Sequence, residues 1–315
     1  MNTQLSILIV DDVSTVRSFL SQTLMHLGID NVKEASTASQ CISECQAANY
    51  NIIFLDIELP DGDGKDLIAQ INELSPETNV VMVSAHSGIE NVKDAIDKGA
   101  LTILIGIGGS ATNDCGIGMA TALGYEFLDK NDQIVKPIGA NLSHITKIDT
   151  SNVHSKLGKV VFDVACDVTN LLYGANGAAH VYAAQKGATP EEIRTLDKGL
   201  HDFSRIINSF FKVDAQSING AGAAGGMGIA SKVFLNGNLK PGIELIKELA
   251  NFDKLIAGAD WVISGEGKLD AQTLSGKTIH GILTSLKETT TKLAVFCGMI
   301  ELEKHAINDL GISYS

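Results

Sequence analysis

Two sets of residues in this 315-residue chain have the types and spacing for chemistry. The first is acidic: Asp11 and Asp12 end the apolar run Leu5–Val10, Asp56 ends Ile52–Leu55, and Ser84 follows Val80–Val83. Carboxylates gathered at strand ends repel one another unless a hard cation joins them, and oxygen ligands of this kind suit Mg²⁺. A single Asp after a strand is more simply a helix cap or turn residue; three at such ends favour a metal pocket. The second set combines glycine with lysine, amide and carboxylate: GIGGSATND at 106–114, CDVTN at 166–170, AAQKGATPEE at 183–192, GAGAAGGMG at 220–228 and SGEGKLDAQTLSGKT at 264–278. Bare backbone N–H groups near a helix start bind anions. Phosphoryl transfer needs cations on the phosphates, carboxylates for Mg²⁺ and a group that orients the attacking hydroxyl. A glycine-rich loop taken singly serves equally as a tightly packed turn, and neither the P-loop pattern nor a full G-x-G-x-x-G is present.

The elements that position these residues follow from periodicity. Ser14–Leu27, Ala38–Ala48, Lys65–Leu74 and Ile89–Lys98 carry apolar residues at helical spacing, and they alternate with the short apolar runs Leu5–Val10, Val32–Ala35, Ile52–Leu55 and Val80–Val83. Four βα repeats predict a parallel sheet with helices on both faces and a ligand site at the carboxyl ends of its strands. Beyond residue 100, Leu101–Ile105 reads as a strand entering the first glycine loop, Ile117–Leu123 as a helix, 160–170 as an apolar strand ending in Asp167 and Asn170, 175–192 as a glycine turn and a helix ahead of Gln185-Lys186-Gly187, and 259–278 as a strand opening into an acidic, glycine-containing loop. Trp261 and Met25 are expected in the core.

Composition changes near residue 100. Residues 1–100 hold 5 basic and 15 acidic side chains, net −10, whereas 101–315 hold 19 and 22, net −3; glycine runs the other way, 5 against 26. A total charge of −13 argues against nucleic acid as a partner. The five scattered cysteines form no C-x-x-C pair, and no apolar stretch reaches the roughly 18 residues of a membrane span. The chain therefore reads as a soluble, cytoplasmic protein with no membrane partner.

ILIVDD at 7–12, FLDIELPDGDG at 54–64, VMVSAH at 81–86 and DKGA at 97–100 together resemble the receiver domain of bacterial response regulators. The resemblance implies that Asp56 is the phosphoacceptor, that Asp11, Asp12 and Asp56 hold Mg²⁺, that Ser84 closes on the phosphate, and that a sensor histidine kinase is a partner. A receiver's fifth strand ends in a Lys-Pro pair; Gly106 and Ile107 stand in its place here.

The five later blocks resemble, in order and approximate spacing, the glycerate kinase family, which transfers phosphate from ATP to D-glycerate with Mg²⁺ in a cleft between two α/β domains. Carried over, Gly108, Gly109, Ser110, Thr112, Asn113 and Asp114 form the first loop of the cleft; Asn170, Gln185, Gly265, Gly267 and Gln272 join them in binding substrate or nucleotide. Asp167, Lys186, Glu266, Asp270 and Lys277 are the catalytic candidates, the lysines for the phosphates and the carboxylates for Mg²⁺ and the hydroxyl, with roles unassigned among them. Leu171 replaces a usual proline, Ile138 a usual glycine, and the family's first hundred residues have no counterpart. The expected architecture is α/β throughout, a flavodoxin-like receiver segment (1–100) continuing into the two-domain kinase fold (101–315). The expected function is a glycerate kinase-like phosphotransferase yielding phosphoglycerate, 2-phosphoglycerate in many relatives, weakened by the missing N-terminal segment. The alternative is a phosphorelay protein using Asp56, with a non-catalytic, ligand-binding C-terminal region.

Overall fold

The computed structural model describes residues 5–26, 29–83, 89–97, 99–270, 278–302 and 304–314. In chain order the first elements are β1 (Ser6–Val10), α1 (Ser14–His26), β2 (Asn31–Ala35), α2 (Ala38–Ala47), β3 (Ile52–Asp56), the short β4 (Glu58–Leu59) and β5 (Gly62–Asp63), α3 (Gly64–Leu74), β6 (Asn79–Val83) and α4 (Ile89–Asp97). Four of these strands form a parallel sheet in the order β2-β1-β3-β6. Side chains alternate along a strand, so a strand buried on both faces is apolar throughout. In β1, Leu8 and Val10 pack with Cys41 and Cys45 of α2 and Leu67, Ile68 and Ile71 of α3, whereas Ile7 and Ile9 pack with Leu24 of α1. Thr37 accepts from the Gln40 N–H and Asp63 from the Lys65 N–H, capping α2 and α3.

The remaining elements are β7 (Thr102–Gly106), α5 (Ile117–Ala122), β8 (Glu126–Leu128), β9 (Lys147–Asp149), β10 (Val161–Ala165), α6 (Pro190–Phe211), α7 (Ala223–Phe234), β11 (Asn238–Lys240), α8 (Gly242–Leu249), α9 (Phe252–Leu255), β12 (Trp261–Leu269), α10 (Thr278–Leu286), β13 (Lys292–Ile300), α11 (Lys304–Asp309) and β14 (Ile312–Tyr314). They make two parallel sheets, β11-β10-β7 and β12-β13-β14, and the antiparallel pair β8-β9. The largest core cluster centres on Phe127, whose ring meets Phe203 and Phe234 edge-on at 5.8 and 5.7 Å. Leu200, Phe203 and Ile207 form the inner face of the 22-residue α6, which begins with Pro190 behind a reciprocal Thr189–Glu192 capping box.

The strand Thr102–Gly106 settles how the two halves join. It pairs along its length with β10, Thr102 opposite Val161 through Gly106 opposite Ala165, while the N-terminal sheet ends at β6. A Schellman turn stops α4: Gly99, at φ +98°, donates to the Ile96 carbonyl and Ala100 to that of Ala95. Adjacent α4 residues then serve different cores, Ala95 the N-terminal one and Ile96 the large C-terminal one, and Ile103 of β7 touches both. Asp97 adds polar ties, its carboxylate to His154 Nε2 at 2.8 Å and its carbonyl to Lys156 Nζ at 2.8 Å.

Four expectations need correction. Trp261 and Met25 lie half exposed, the Trp261 ring instead carrying the Lys292 ammonium 5.4 Å from its centroid. The helix expected ahead of Gln185 within 175–192 is a π turn, Ala179–Ala183, followed by a 3-10 turn, Ala184–Lys186, closed by Gly187 at φ +94°. The strand expected over 160–170 ends at Ala165, and Asp167 and Asn170 stand in the loop after it. The Gly265–Gly267 segment is strand, not loop, because Gly265 and Glu266 stay in register with Phe296 and Cys297 of β13. No helix among the described residues is long and apolar enough to cross a membrane.

Candidate functional site

Parallel pairing of β7 with β10 brings their carboxyl ends side by side, so the loops that follow them meet. Ile107–Ser110 after β7 and Cys166–Val168 after β10 form two walls of a cleft of about 200 Å³, closed by Tyr182, Gln185 and Lys186 and by Ala223 and Ala224 at the start of α7. Four of the five blocks singled out in the sequence thus contribute to one concavity.

Glycine holds these walls together by close approach. Ala224, Gly225 and Gly226 all adopt positive φ, +54°, +71° and +98°, at the first turn of α7. A Cβ on Gly225 would stand 2.1 Å from the Thr112 carbonyl oxygen, and the Gly225 carbonyl accepts from the Cys115 N–H at 3.0 Å. The GAGAAGGMG run is therefore the surface on which the first loop is seated.

Lys186 reaches across that loop, donating to Ser110 Oγ at 2.9 Å and to the Thr112 carbonyl at 2.5 Å. Burial pushes its pKa below the ordinary lysine value, opposed by the charge of Asp114. Among the described residues no carboxylate comes within ion-pair range of it, so the cleft holds a half-buried cation that an anionic ligand would neutralise. Asp167 also lines this cleft; its Oδ1 accepts from the Gly242 N–H at 2.7 Å at the start of α8, and its Oδ2 accepts no hydrogen bond among the described residues. Asp114 turns away to cap α5, accepting from the N–H groups of Gly116 and Gly118. Asn170 is locked behind the wall: Tyr182 Oη donates to its Oδ1 at 2.5 Å, and its Nδ2 donates to the Asn176 carbonyl at 3.2 Å. The Asn113 amide is enclosed with neither polar atom hydrogen-bonded.

Tyr182 and Cys166 line the cleft, and the sequence reading did not select them. Burial raises both their pKa values. The π turn, which adds a residue to the helical repeat, is what directs Tyr182 into the same cleft as Gln185 and Lys186. An aromatic three residues ahead of Gln-Lys was the available signal.

Glu266 and Asp270 stand on and just after β12, in the separate β12-β13-β14 sheet, with Lys268 3.7 Å from Asp270. They are not among the residues lining the cleft, nor are Gly265 and Gly267. Gln272, Lys277 and Ser84 lie outside the described residues.

The acidic set does converge. Asp11, Asp12 and Asp56 each offer a carboxylate oxygen, all within 4.8 Å of one another at the carboxyl edge of the N-terminal sheet. Burial raises the pKa of Asp56, opposed by the Ile57 N–H and reinforced by the charges of Asp11 and Asp12. Three hard oxygen donors from separate residues fit Mg²⁺.

The response regulator receiver domain family matches residues 7–105, and the glycerate kinase family matches residues 69–315, so the two overlap from within α3 through β6 and α4 into β7. A glycerate kinase of Halalkalibacterium halodurans is 39% identical over 256 residues, 81% of this chain and 66% of that protein. A glycerate 2-kinase of Escherichia coli is 37% identical over 258 residues, 80% of this chain and 68% of that protein. The chain thus spans about two-thirds of the length of these curated relatives. A solved structure provisionally called glycerate kinase 2, from Salmonella typhimurium LT2, superposes with a TM-score of 0.64 at 28% identity, covering 99% of this chain and 90% of that one. The receiver-like sheet falls within that superposition. With most of its length matched and its cleft built from the matched blocks, the chain belongs to the glycerate kinase family and carries a receiver domain at its N-terminal end.

Proposed function

We propose that this chain transfers the γ-phosphoryl group of ATP to a hydroxyl of D-glycerate, with Mg²⁺, giving phosphoglycerate and ADP. The observation that carries the reading is the convergence of Gly108–Ser110, Asp167, Gln185 and Lys186 on one small cleft holding a cation with no carboxylate in ion-pair range among the described residues. In the transfer the hydroxyl oxygen bonds to phosphorus as the bond to the β-phosphate oxygen breaks, and the hydroxyl proton leaves to a carboxylate or to water. Mg²⁺, when bound, neutralises charge on the phosphates. In this reading Asp167 orients the hydroxyl and Lys186 holds an anion. Glu266, Asp270, Gln272 and Lys277 enter this reading by resemblance alone, with no role assigned among them. The 2-hydroxyl is the acceptor this reading favours, by likeness to the E. coli relative's name. Five free cysteines support a reducing cytoplasm as the setting.

The test is incubation of the full chain with D-glycerate and MgATP, following products by ³¹P NMR. The expected result is phosphoglycerate at a rate well below that of a full-length relative, because the family's own N-terminal loops have no counterpart. No product above an enzyme-free control rejects the reading.

A second reading concerns the N-terminal unit and rests on the Asp11–Asp12–Asp56 cluster. Asp56 accepts a phosphoryl group from a phosphohistidine of a sensor kinase or from acetyl phosphate. The fifth-strand lysine is absent and β7 is committed to β10, so this site lacks a cation of the kind that stabilises the phosphoryl charge.

A further inference from the structure

We infer that the cleft between the ends of β7 and β10 binds the hydroxy acid and not the nucleotide, with Lys186 recognising its carboxylate. The inference rests on the glycerate kinase reading and divides its site. Size is the first argument. The cleft, half open to solvent, holds about 200 Å³, whereas pockets for drug-sized ligands run to roughly 300–1,000 Å³. A three-carbon acid suits that space; a nucleoside triphosphate needs a larger one.

Polarity is the second argument. An ammonium carries three N–H donors. Lys186 spends two on Ser110 Oγ and the Thr112 carbonyl, which fixes its position and leaves one donor and the whole charge for a ligand. Ser110, accepting from Lys186, has its own O–H free to donate to the same anion. Asp167 lines the same cleft and has one oxygen committed to Gly242, so it offers Oδ2 as a hydroxyl acceptor. Cation and hydroxyl donor beside a carboxylate acceptor complement a hydroxy carboxylate.

Isothermal titration of the full chain tests this with D-glycerate, glycerol and a non-hydrolysable MgATP analogue as separate probes, on the wild type and on Lys186→Gln, Lys186→Arg and Asp167→Asn. Circular dichroism melts report whether each variant remains folded. Loss of a hydrogen bond to a charged group corresponds to about a ten- to hundredfold change in affinity. Lys186→Gln should weaken D-glycerate by that factor, Lys186→Arg should recover part of it, and both should leave the nucleotide analogue unchanged. Asp167→Asn should weaken D-glycerate and glycerol alike, and glycerol should bind the wild type far more weakly than the acid. A drop in nucleotide affinity with glycerate unchanged in Lys186→Gln would overturn the assignment, as would equal binding of glycerol and D-glycerate or no glycerate binding to the wild type. The kinase reading fails separately: Lys186-dependent glycerate binding without turnover removes that reading and leaves this one. Turnover with Lys186-independent glycerate binding does the reverse.

Discussion

The seating of the first cleft loop on α7 can be tested by one methyl group. At Gly225 two costs act together. Its φ of +71° is a left-handed conformation that costs an L-residue roughly 1–2 kcal/mol, and a Cβ there would stand 2.1 Å from the Thr112 carbonyl oxygen, forcing a backbone shift worth about 1–3 kcal/mol. Gly225→Ala should therefore lose about 2–5 kcal/mol. At roughly 2–4 °C per kcal/mol for a unit of this size, the melting temperature should fall by about 4–20 °C. Gly174 supplies the control: its φ is +92°, yet nothing lies within 4 Å of an added Cβ. Gly174→Ala should show only the conformational part, about 1–2 kcal/mol. Differential scanning calorimetry of both variants, read on the transition that contains the C-terminal core, separates the terms. Equal losses in the two variants would refute the close-packing argument and leave backbone conformation as the sole reason for glycine at 225.

Other perturbations address the receiver pocket and the core. Asp56→Asn should raise the melting temperature slightly at neutral pH. The folded-state pKa of Asp56 is raised, so its ionised form costs stability as pH rises through the unfolded and then the folded value, and the amide removes that cost. In the wild type Mg²⁺ at a hundredfold over its Kd should add about 2.7 kcal/mol, an increment much reduced in Asp56→Asn; equal Mg²⁺ responses in thermal melts would count against the carboxylate cluster as a metal site. Thr189→Ala removes the hydroxyl half of the α6 capping box and should cost about 1 kcal/mol in denaturant titration, with no loss pointing to a cap already frayed in solution.

Periodicity made most of the framework legible. The apolar run Ile7–Val10 of β1, flanked by α1 and α2, is a strand buried on both faces, and the structure divides Ile7 and Ile9 from Leu8 and Val10 accordingly. The cleft was legible as residue types, since a parallel pair of strands must deliver both following loops to one edge. Partner choice was not. Nothing in LTILIG distinguishes pairing with β6 from pairing with β10, because both neighbours are short apolar parallel strands and the decision is tertiary. The role of Asp114 was equally hidden, because a loop aspartate that binds ligand and one that caps a short helix have the same sequence neighbourhood. Tyr182 escaped notice because a π turn shifts the facing residue by one, which a 3.6-residue reading misplaces.

The join itself follows from how helices and strands present side chains. On a helix, consecutive residues lie about 100° apart, so Ala95 and Ile96 can enter different cores without any break in α4. A linker would leave each half to complete its own hydrophobic face; α4 instead supplies one face to each. The N-terminal sheet keeps a helix over its α2–α3 side, and the C-terminal core gains Ile96 and partly buried Val92. The strand that follows has a single hydrogen-bonding choice per edge. By pairing with β10 it aligns Gly106 with Ala165 and so delivers Ile107–Ser110 opposite Cys166–Val168. A one-residue slip would invert every side chain of β7, taking Ile103 and Ile105 from the core to the opposite face. The register that builds the cleft is therefore the register that buries the strand, and the short turn at Gly99–Ala100 leaves no slack to change one without the other.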